Sequence, residues 1–526
     1  MAATSADVLI IGAGPVGLTL AAALHHQGLS VRIIDKAPEP SDKSKALVVW
    51  SRTLELLHQL GLADRFIDSG LKIRGATIHH QNQRLVHIEI AGIDTPYPFP
   101  LMIPQNVTEQ LLTEHLAANG ITVERRVELV SFTANDDAVT ATLRHPEVSE
   151  EIVTTPWLVG CDGAHSTVRH TLDLEFTGEA EPNDWILADV HIDGPLATDE
   201  ISVYWHSDGV IVFFPIQPGR FRMVADIGAA KQDVLPPTPT LAEAQAKADE
   251  RGPAGLTLSD PIWLANFRIN ERKVSDYRVG RVMLAGDAAH IHSPAGGQGM
   301  NTGMQDAFNL AWKLALAHRG QGQVEPLLAS YSVERSAIGD QVLHGAETLT
   351  TVATLRNPAA QFIRNHVAPV ITSFGFVQDK IKNTMCELSI NYRHSPLSKE
   401  DWPRLGDGPE AGDRLPDLPL AGIEVGRATS LFAELRSGKH QLLLAPVEND
   451  KQSENDLLEI ASVAEHAYPG LIAAHLVTDA AAREKLGASG AALYLVRPDG
   501  YVAYRTQSAD VAALANYLGS YLVPTS

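Results

Sequence analysis

At 526 residues the chain is longer than one ordinary hydrophobic core organises, so two or three domains are expected. Its 42 Lys plus Arg stand against 63 Asp plus Glu, and the formal net charge of -21 argues against nucleic acid or an anionic membrane surface as partner. Cys161 and Cys386 are the only cysteines, which excludes a disulfide scaffold, offers no thiolate metal site and fits a reducing cytoplasm.

Residues 7–36 read as a βαβ unit: Val8 to Ile11 as strand, a glycine turn, a helix closing near Gly28, and Val31 to Ile34 as the second strand. The apolar run from Val8 to Leu24 has no basic leader and is interrupted by Gly12, Gly14 and Pro15, so it is not a secretion signal. No other uninterrupted apolar run reaches the ~18 residues of a membrane helix, and no membrane insertion is expected. A second helix spans Ser51 to Gly61. Asn106 with Glu109 has the form of a capping box, which places Gln105 just ahead of a helix that ends near Gly120. From Trp185 to Ile227 the period changes to alternating strands, an inserted sheet. The chain returns with a strand over 281–285, a Gly-rich loop over 294–299 and a helix from Asn301 to Ala317, with Met304, Ala307, Ala311 and Leu314 on one face. Helical segments continue to Leu388, and Pro396 to Pro419 has linker composition. Beyond it lies a small α/β domain in which Arg497-Pro498-Asp499-Gly500 turns between two strands.

Gly12, Gly14 and Gly17, with Pro15, open the first helix directly after a strand. Glycine there permits a tight turn and lets a pyrophosphate touch backbone N–H groups at the positive helix end. Asp35, 18 residues beyond Gly17, ends the second strand where a ribose would need an acceptor. This motif does not say which dinucleotide binds. Two further motifs, Asp162-Gly163 and Gly286-Asp287, each follow an apolar strand, so their carboxylates fall at the C-terminal sheet edge where open α/β sheets bind ligands.

In order and spacing, these three motifs and the run from His290 to Ala307 resemble the single-component FAD-dependent aromatic hydroxylases, the class A flavoprotein monooxygenases. The last domain resembles the thioredoxin-like C-terminal domain of the phenol hydroxylase branch, notably at Gly412 to Pro416 and Val496 to Val502. No Cys follows Cys386, so thiol chemistry is impossible in it. The resemblance implies an α/β chain with a Rossmann-like FAD-binding domain in three pieces (1–75, 101–185 and 270–345) and an inserted β-sheet substrate domain (76–100 and 186–269). A helical segment and linker (346–404) and the thioredoxin-like domain (405–526) complete it. It implies FAD as cofactor, NAD(P)H as co-substrate, and O2 delivered through a flavin hydroperoxide to an aromatic, phenolic or polycyclic compound. A monomer or homodimer is expected.

By the same likeness Asp287 would bind the ribityl or pyrophosphate part of FAD, while Asp162 and Arg169 would order the pyrophosphate and the approaching NAD(P)H. Gln105 and Arg52 match FAD-contacting segments of the family. Lys45 stands where many relatives carry Arg, without Arg's forked geometry. Pro294, Gly296, Gly297 and Gly299 would pass beside the flavin ring, and the helix starting at Met300 and Asn301 would aim free N–H groups at its pyrimidine edge, where reduction places negative charge. Pro294, Gly296 and Gly297 are the residues nearest the chemistry, and no catalytic base can be named. For substrate the inserted sheet offers Tyr204, His206, Phe213 and Phe214; alternation puts Tyr204 and His206 on one face, and Phe213 and Phe214 cannot both face inward. His290 and His292 read as structural parts of the loop and not as metal ligands. Alternatives are an oxygenase acting on a polycyclic natural product by epoxidation or Baeyer–Villiger chemistry, and an FAD-binding protein without turnover.

Overall fold

A computed structural model describes the chain except residues 1–5, 82, 147–149, 231–233, 295, 403–407, 423–427 and 526. Ala295 of the glycine loop and part of the Pro396–Pro419 linker lie outside the described residues. Val8–Ile11 is buried throughout and has no polar side chain to satisfy, so it forms the centre of a sheet covered on both faces. It pairs in parallel with Val31–Asp35 on one side and Trp157–Gly160 on the other, and Val282–Leu284 continues in parallel beyond Trp157–Gly160. Val123–Arg125 and the antiparallel Arg278–Val279 complete six strands. Because four neighbouring strands run the same way, their C-terminal ends deliver Gly12, Asp35, Asp162 and Gly286-Asp287 to a single edge.

Helix Pro15–His26 packs against helix Gly299–His318 over this sheet. Their approach is close because residue 303 is glycine: an added Cβ would come within 2.6 Å of Val16 and 3.1 Å of Gly286 Cα. The sequence predicts one apolar face for the second helix, but every residue from Asn301 to Ala317 is buried. Its polar side chains are tolerated because helix Val324–Ala353 supplies partners, Glu334 to Lys313 at 2.7 Å and Arg335 to Asp306 at 2.6 Å. The expected capping box at Asn106 is absent. The helix begins at Gln105, whose N–H donates to Ser44 Oγ and Ala46 O, and the Glu109 carboxylate accepts from the Gln105 amide at 2.9 Å.

Among the described residues the second sheet has eight strands, ordered His290–Ile291, Thr257–Lys273, Thr177–Asp193, Arg220–Ala229, Gly209–Gln217, Glu200–His206, Gly75–His80 and Gln83–Glu89. The long strands Thr177–Asp193 and Thr257–Lys273 carry the chain from the first sheet into it and back. One face is closed by helix Leu241–Arg251, which starts at a Thr240/Glu243 capping box. Among the described residues the C-terminal sheet has seven strands. Its centre pairs His440–Ala445 in parallel with Ile472–Leu476 through helix Lys451–Ala467, and an antiparallel hairpin, Ala492–Val496 and Val502–Thr506, turns at Arg497–Gly500 as expected. Among the described residues no helix is long and apolar enough to cross a membrane.

Candidate cofactor and substrate site

At the sheet edge the three glycines of the first loop have different surroundings. Gly12 has φ +100°, and a Cβ on it would lie 2.4 Å from the Cys161 carbonyl oxygen; a Cβ on Gly17 would lie 2.0 Å from the Gly12 oxygen. Gly14, in contrast, has nothing within 4 Å of where its Cβ would stand. Gly14 is also the N-cap of the first helix, with Pro15 following and no side chain capping the first turn. An open space facing uncapped N–H groups is what a pyrophosphate requires. Asp35 accepts hydrogen bonds from Ala13 N–H and Ala37 N–H, each at 2.7 Å, which fixes its carboxylate beside this opening. Arg125, not singled out from the sequence, stands 3.6 Å from it on the next strand.

Asp287 lies on a short turn, Gly286–Ala288, whose position is fixed from behind: the Asp306 carboxylate accepts from Gly286 N–H at 2.9 Å and from Arg335. The Asp287 side chain is crowded by protein yet reached by solvent, and among the described residues nothing hydrogen-bonds to it. Burial raises its pKa, and the charges of His290 and Lys45 oppose that rise. A carboxylate so placed is open to a hydroxyl-rich ligand. Lys45 itself is exposed, and its backbone is held by Arg222, which donates to the carbonyls of Ser44 and Lys45 while forming a bidentate pair with Asp189 at 2.7 and 2.8 Å. Gln105 also anchors this segment, its side-chain oxygen accepting from Ala46 N–H at 3.1 Å.

Asp162 and Arg169 are built differently from the expectation. Both Asp162 oxygens are committed to the following turn, accepting from Ser166 Oγ at 2.5 Å and from Thr167 N–H at 2.7 Å. Arg169 is buried, with its guanidinium donating to Ala288 O at 3.0 Å and Ala164 O at 2.6 Å and lying 3.9 Å over the Phe176 ring. The pair therefore brackets the Asp287 turn against the Asp162 turn.

The glycine loop is clamped by Asn301. Its amide nitrogen donates to Val48 O and Gly297 O at 2.9 and 3.0 Å, its oxygen accepts from Trp50 N–H at 2.9 Å, and Trp50 Nε1 donates to Gly296 O at 3.0 Å. Gly296 and Gly297 have φ +86° and +64° in a turn closed by Gly297 N–H to Pro294 O at 2.9 Å. Helix Gly299–His318 starts directly after it with Gln298 as N-cap and no side chain capping its first turn, the Gln298 amide donating instead to Thr384 O at 3.1 Å, while Met300 packs half-buried against the core. The first-turn N–H groups are thereby left open. His290 bonds to Asp306 at 2.8 Å, and His292, whose pKa burial pushes down to about 4, donates from Nδ1 to Ser293 O. Both rings are scaffold of the loop.

Arg52 does not face this cleft. It is 1% exposed, pairs with Glu55 at 2.8 Å and donates to the Asp499 carbonyl at 2.5 Å, with its guanidinium over Tyr501. The long-range pairing to the C-terminal hairpin takes up the cation that the sequence assigned to flavin. Of the four substrate candidates, Tyr204 and His206 share a face as expected, but it is the face closed by helix Leu241–Arg251. Tyr204 and Phe213 belong to the core there. His206 meets Asp208 and Glu250, and Glu250 is already paired with Lys247 and Arg251. Phe214 lies on the opposite face with Val203, Val212 and Ile216, packed toward Val48 and Trp50. In register with Phe214 follow Arg222, Asp189 and Trp263, and all but Phe214 were missed because cross-strand neighbours are invisible to local alternation.

The family profile described as "FAD binding domain" matches residues 5–346, and that described as "Aromatic-ring hydroxylase, C-terminal" matches residues 408–522. A 6-methylpretetramide 4-monooxygenase of Streptomyces rimosus is 37% identical over 546 aligned positions, covering 98% of this chain and 94% of that protein. A pentachlorophenol 4-monooxygenase of Sphingobium chlorophenolicum is 32% identical over 86% of this chain and 82% of its own. The solved structure of an anhydrotetracycline hydroxylase from Streptomyces rimosus superposes with a TM-score of 0.80 at 29% identity, covering 99% of this chain and 100% of that one. With the nucleotide cradle, the open Asp287 carboxylate and the clamped glycine loop in place, the chain belongs to the FAD-binding aromatic-ring hydroxylases and is an FAD-dependent monooxygenase of aromatic compounds.

Proposed function

We propose that the chain hydroxylates a phenolic or polycyclic aromatic compound in the cytoplasm, with NAD(P)H as reductant and O2 as oxygen source. The observation that carries this reading is the partly open apolar sheet face around Phe214, set against the strand and glycine loop that Asn301 holds rigid. Bound FAD supplies the electron transfer and oxygen activation that no side chain can.

The residues divide the remaining work. The first helix's N–H groups and the space at Gly14 receive the pyrophosphate, Asp35 with Arg125 orients the adenosine ribose, and Asp287 with Lys45 holds the ribityl chain. The open first turn of helix Gly299–His318 would supply positive potential to a reduced flavin without a titratable cation. The clamp through Trp50 and Asn301 would hold the backbone of Gly296 and Gly297 in place for the flavin. Phe214 and Trp263 offer flat walls for an aromatic ring and exclude water from it. The relatives' names, a pretetramide and a chlorophenol oxygenase, support both the polycyclic and the phenolic class. NAD(P)H docks transiently, since the described residues hold one strand–glycine–helix cradle. A screen of NAD(P)H consumption over phenols and polycyclic aromatics tests the proposal: at least one class should accelerate consumption and leave as a product one oxygen atom heavier. Consumption indifferent to every aromatic, with peroxide as sole product, would contradict it.

A further inference from the structure

Helix Pro358–Thr372 is amphipathic in the reverse sense. Phe362, Ile363, Val367, Val370 and Ile371 recur at the helical period and form one face, which Phe374 extends just beyond the helix, and that face points to solvent with exposures of 42–63%. Two of its polar residues point inward, while His366 is exposed on the apolar face with its ring 4.0 Å from that of Phe362. Arg364 is buried with its guanidinium 4.3 Å over Trp205 and donating to Val352 O at 2.9 Å, and Gln361 donates to Ser207 O at 2.9 Å and Leu355 O at 2.7 Å. Leu349 and Val352 on the preceding helix and Phe376 on the next extend the same surface, with exposures of 53%, 37% and 74%. A helix that buries its polar side and presents its apolar side is completed only by something that covers it.

We infer that a second copy of this chain covers it, so that the protein is a two-fold dimer with the Pro358–Thr372 helices of both copies face to face. Area supports this: nine large side chains, each roughly half exposed, amount to roughly 800 Å² per copy, the contribution of one partner to a standard stable interface. Charge supports it too. Between Leu349 and Phe376 the charged residues are Arg356 and Arg364, the first paired with Asp226 at 2.7 Å and the second buried. An uncharged strip lets two chains of net charge -21 meet without like charges in contact. A lipid surface would call for Lys or Arg along the polar flanks of such a helix, and residues 349–376 contain no Lys. The inference does not depend on the proposed substrate.

Light scattering on the FAD-loaded protein should give twice 56.7 kDa, and Ile363→Glu and Val370→Glu should each reduce it to 56.7 kDa, with FAD content and NAD(P)H oxidation unchanged. Ile152→Glu, at a still more exposed residue on strand Glu150–Thr155, should leave the dimer intact. Because Cys161 and Cys386 are buried, Val367→Cys places one accessible thiol near the middle of the face and should cross-link the two copies under mild oxidation. A parent protein that stays at the single-chain mass up to about 50 µM, or a dimer that survives both glutamate variants, would overturn the inference. So would sedimentation with phosphatidylcholine–phosphatidylglycerol vesicles that Ile363→Glu abolishes, which would assign the face to a membrane.

Discussion

Replacing Arg497 with Met probes how the C-terminal domain is joined to the flavin-side helices. The guanidinium makes charge-assisted hydrogen bonds at 2.7 and 2.9 Å to Glu334, on helix Val324–Ala353, and at 3.0 and 2.5 Å to Asp499 in its own hairpin. Glu334 also accepts from Lys313 at 2.7 Å, and all four side chains are at most 3% exposed. Two cations thus balance two anions, and Met leaves one cation against two anions out of water. Breaking a buried pair this way costs about 3–5 kcal/mol. At about 2–4 °C per kcal/mol for a unit of 150–250 residues, the melting point should fall by about 6–20 °C. The sign of the pH dependence follows from Glu334, whose pKa Arg497 and Lys313 hold well below the usual carboxylate range against the opposing effect of burial. Stability from a depressed carboxyl is fully present above its unfolded pKa of about 4.3 and is lost as pH falls toward the folded value. The deficit of the variant should therefore be full at pH 7 and shrink on acidification below about 4.5. Adding Glu334→Gln should recover part of the loss. Scanning calorimetry at several pH values reads all of this. A melting point within about 2 °C of the parent, or a deficit independent of pH, would refute the reasoning.

Gly12→Ala should destabilise the fold, since its Cβ meets the Cys161 carbonyl, whereas Gly14→Ala should leave the melting point of apoprotein unchanged and weaken FAD binding; equal effects of the two on folding would contradict the reading. Asp287→Asn should raise the FAD dissociation constant by about 10- to 150-fold, from about 1.5–3 kcal/mol of lost hydrogen bonding to a charged group, measured by titration of apoprotein. Phe214→Ala should raise KM for an accepted aromatic with little change in stability, and Phe213→Ala should cost about 3–5 kcal/mol of stability with little change in KM. The reverse pattern would place substrate on the wrong sheet face.

The cofactor edge was legible in sequence because its signals are local. A strand followed by Gly12-x-Gly14-x-x-Gly17, or by Gly286-Asp287, carries its geometry in adjacent residues, and parallel pairing then brings the loops together. Arg52, Arg169 and Asn301 also stand in recognisable segments, yet their partners could not be read. Arg52 reaches the Asp499 carbonyl 447 residues away, and Asn301 reaches Val48 across 253, distances that no local pattern encodes. The sheet face was ambiguous for another reason. Strand Gly209–Gln217 is apolar on both sides, so alternation separates Phe213 from Phe214 without saying which one helix Leu241–Arg251 covers. Arg222, the residue that ties the sheet to the Lys45 segment, looked like any charged strand residue.

The most direct measurement of the central claim is turnover of an accepted aromatic under isotopically labelled O2 with FAD-loaded protein and NAD(P)H, read by mass spectrometry. One labelled oxygen atom should appear in the product for each NAD(P)H consumed in coupled turnover, and none without FAD. Label found only in water or peroxide, or a product whose new oxygen comes from solvent, would contradict it.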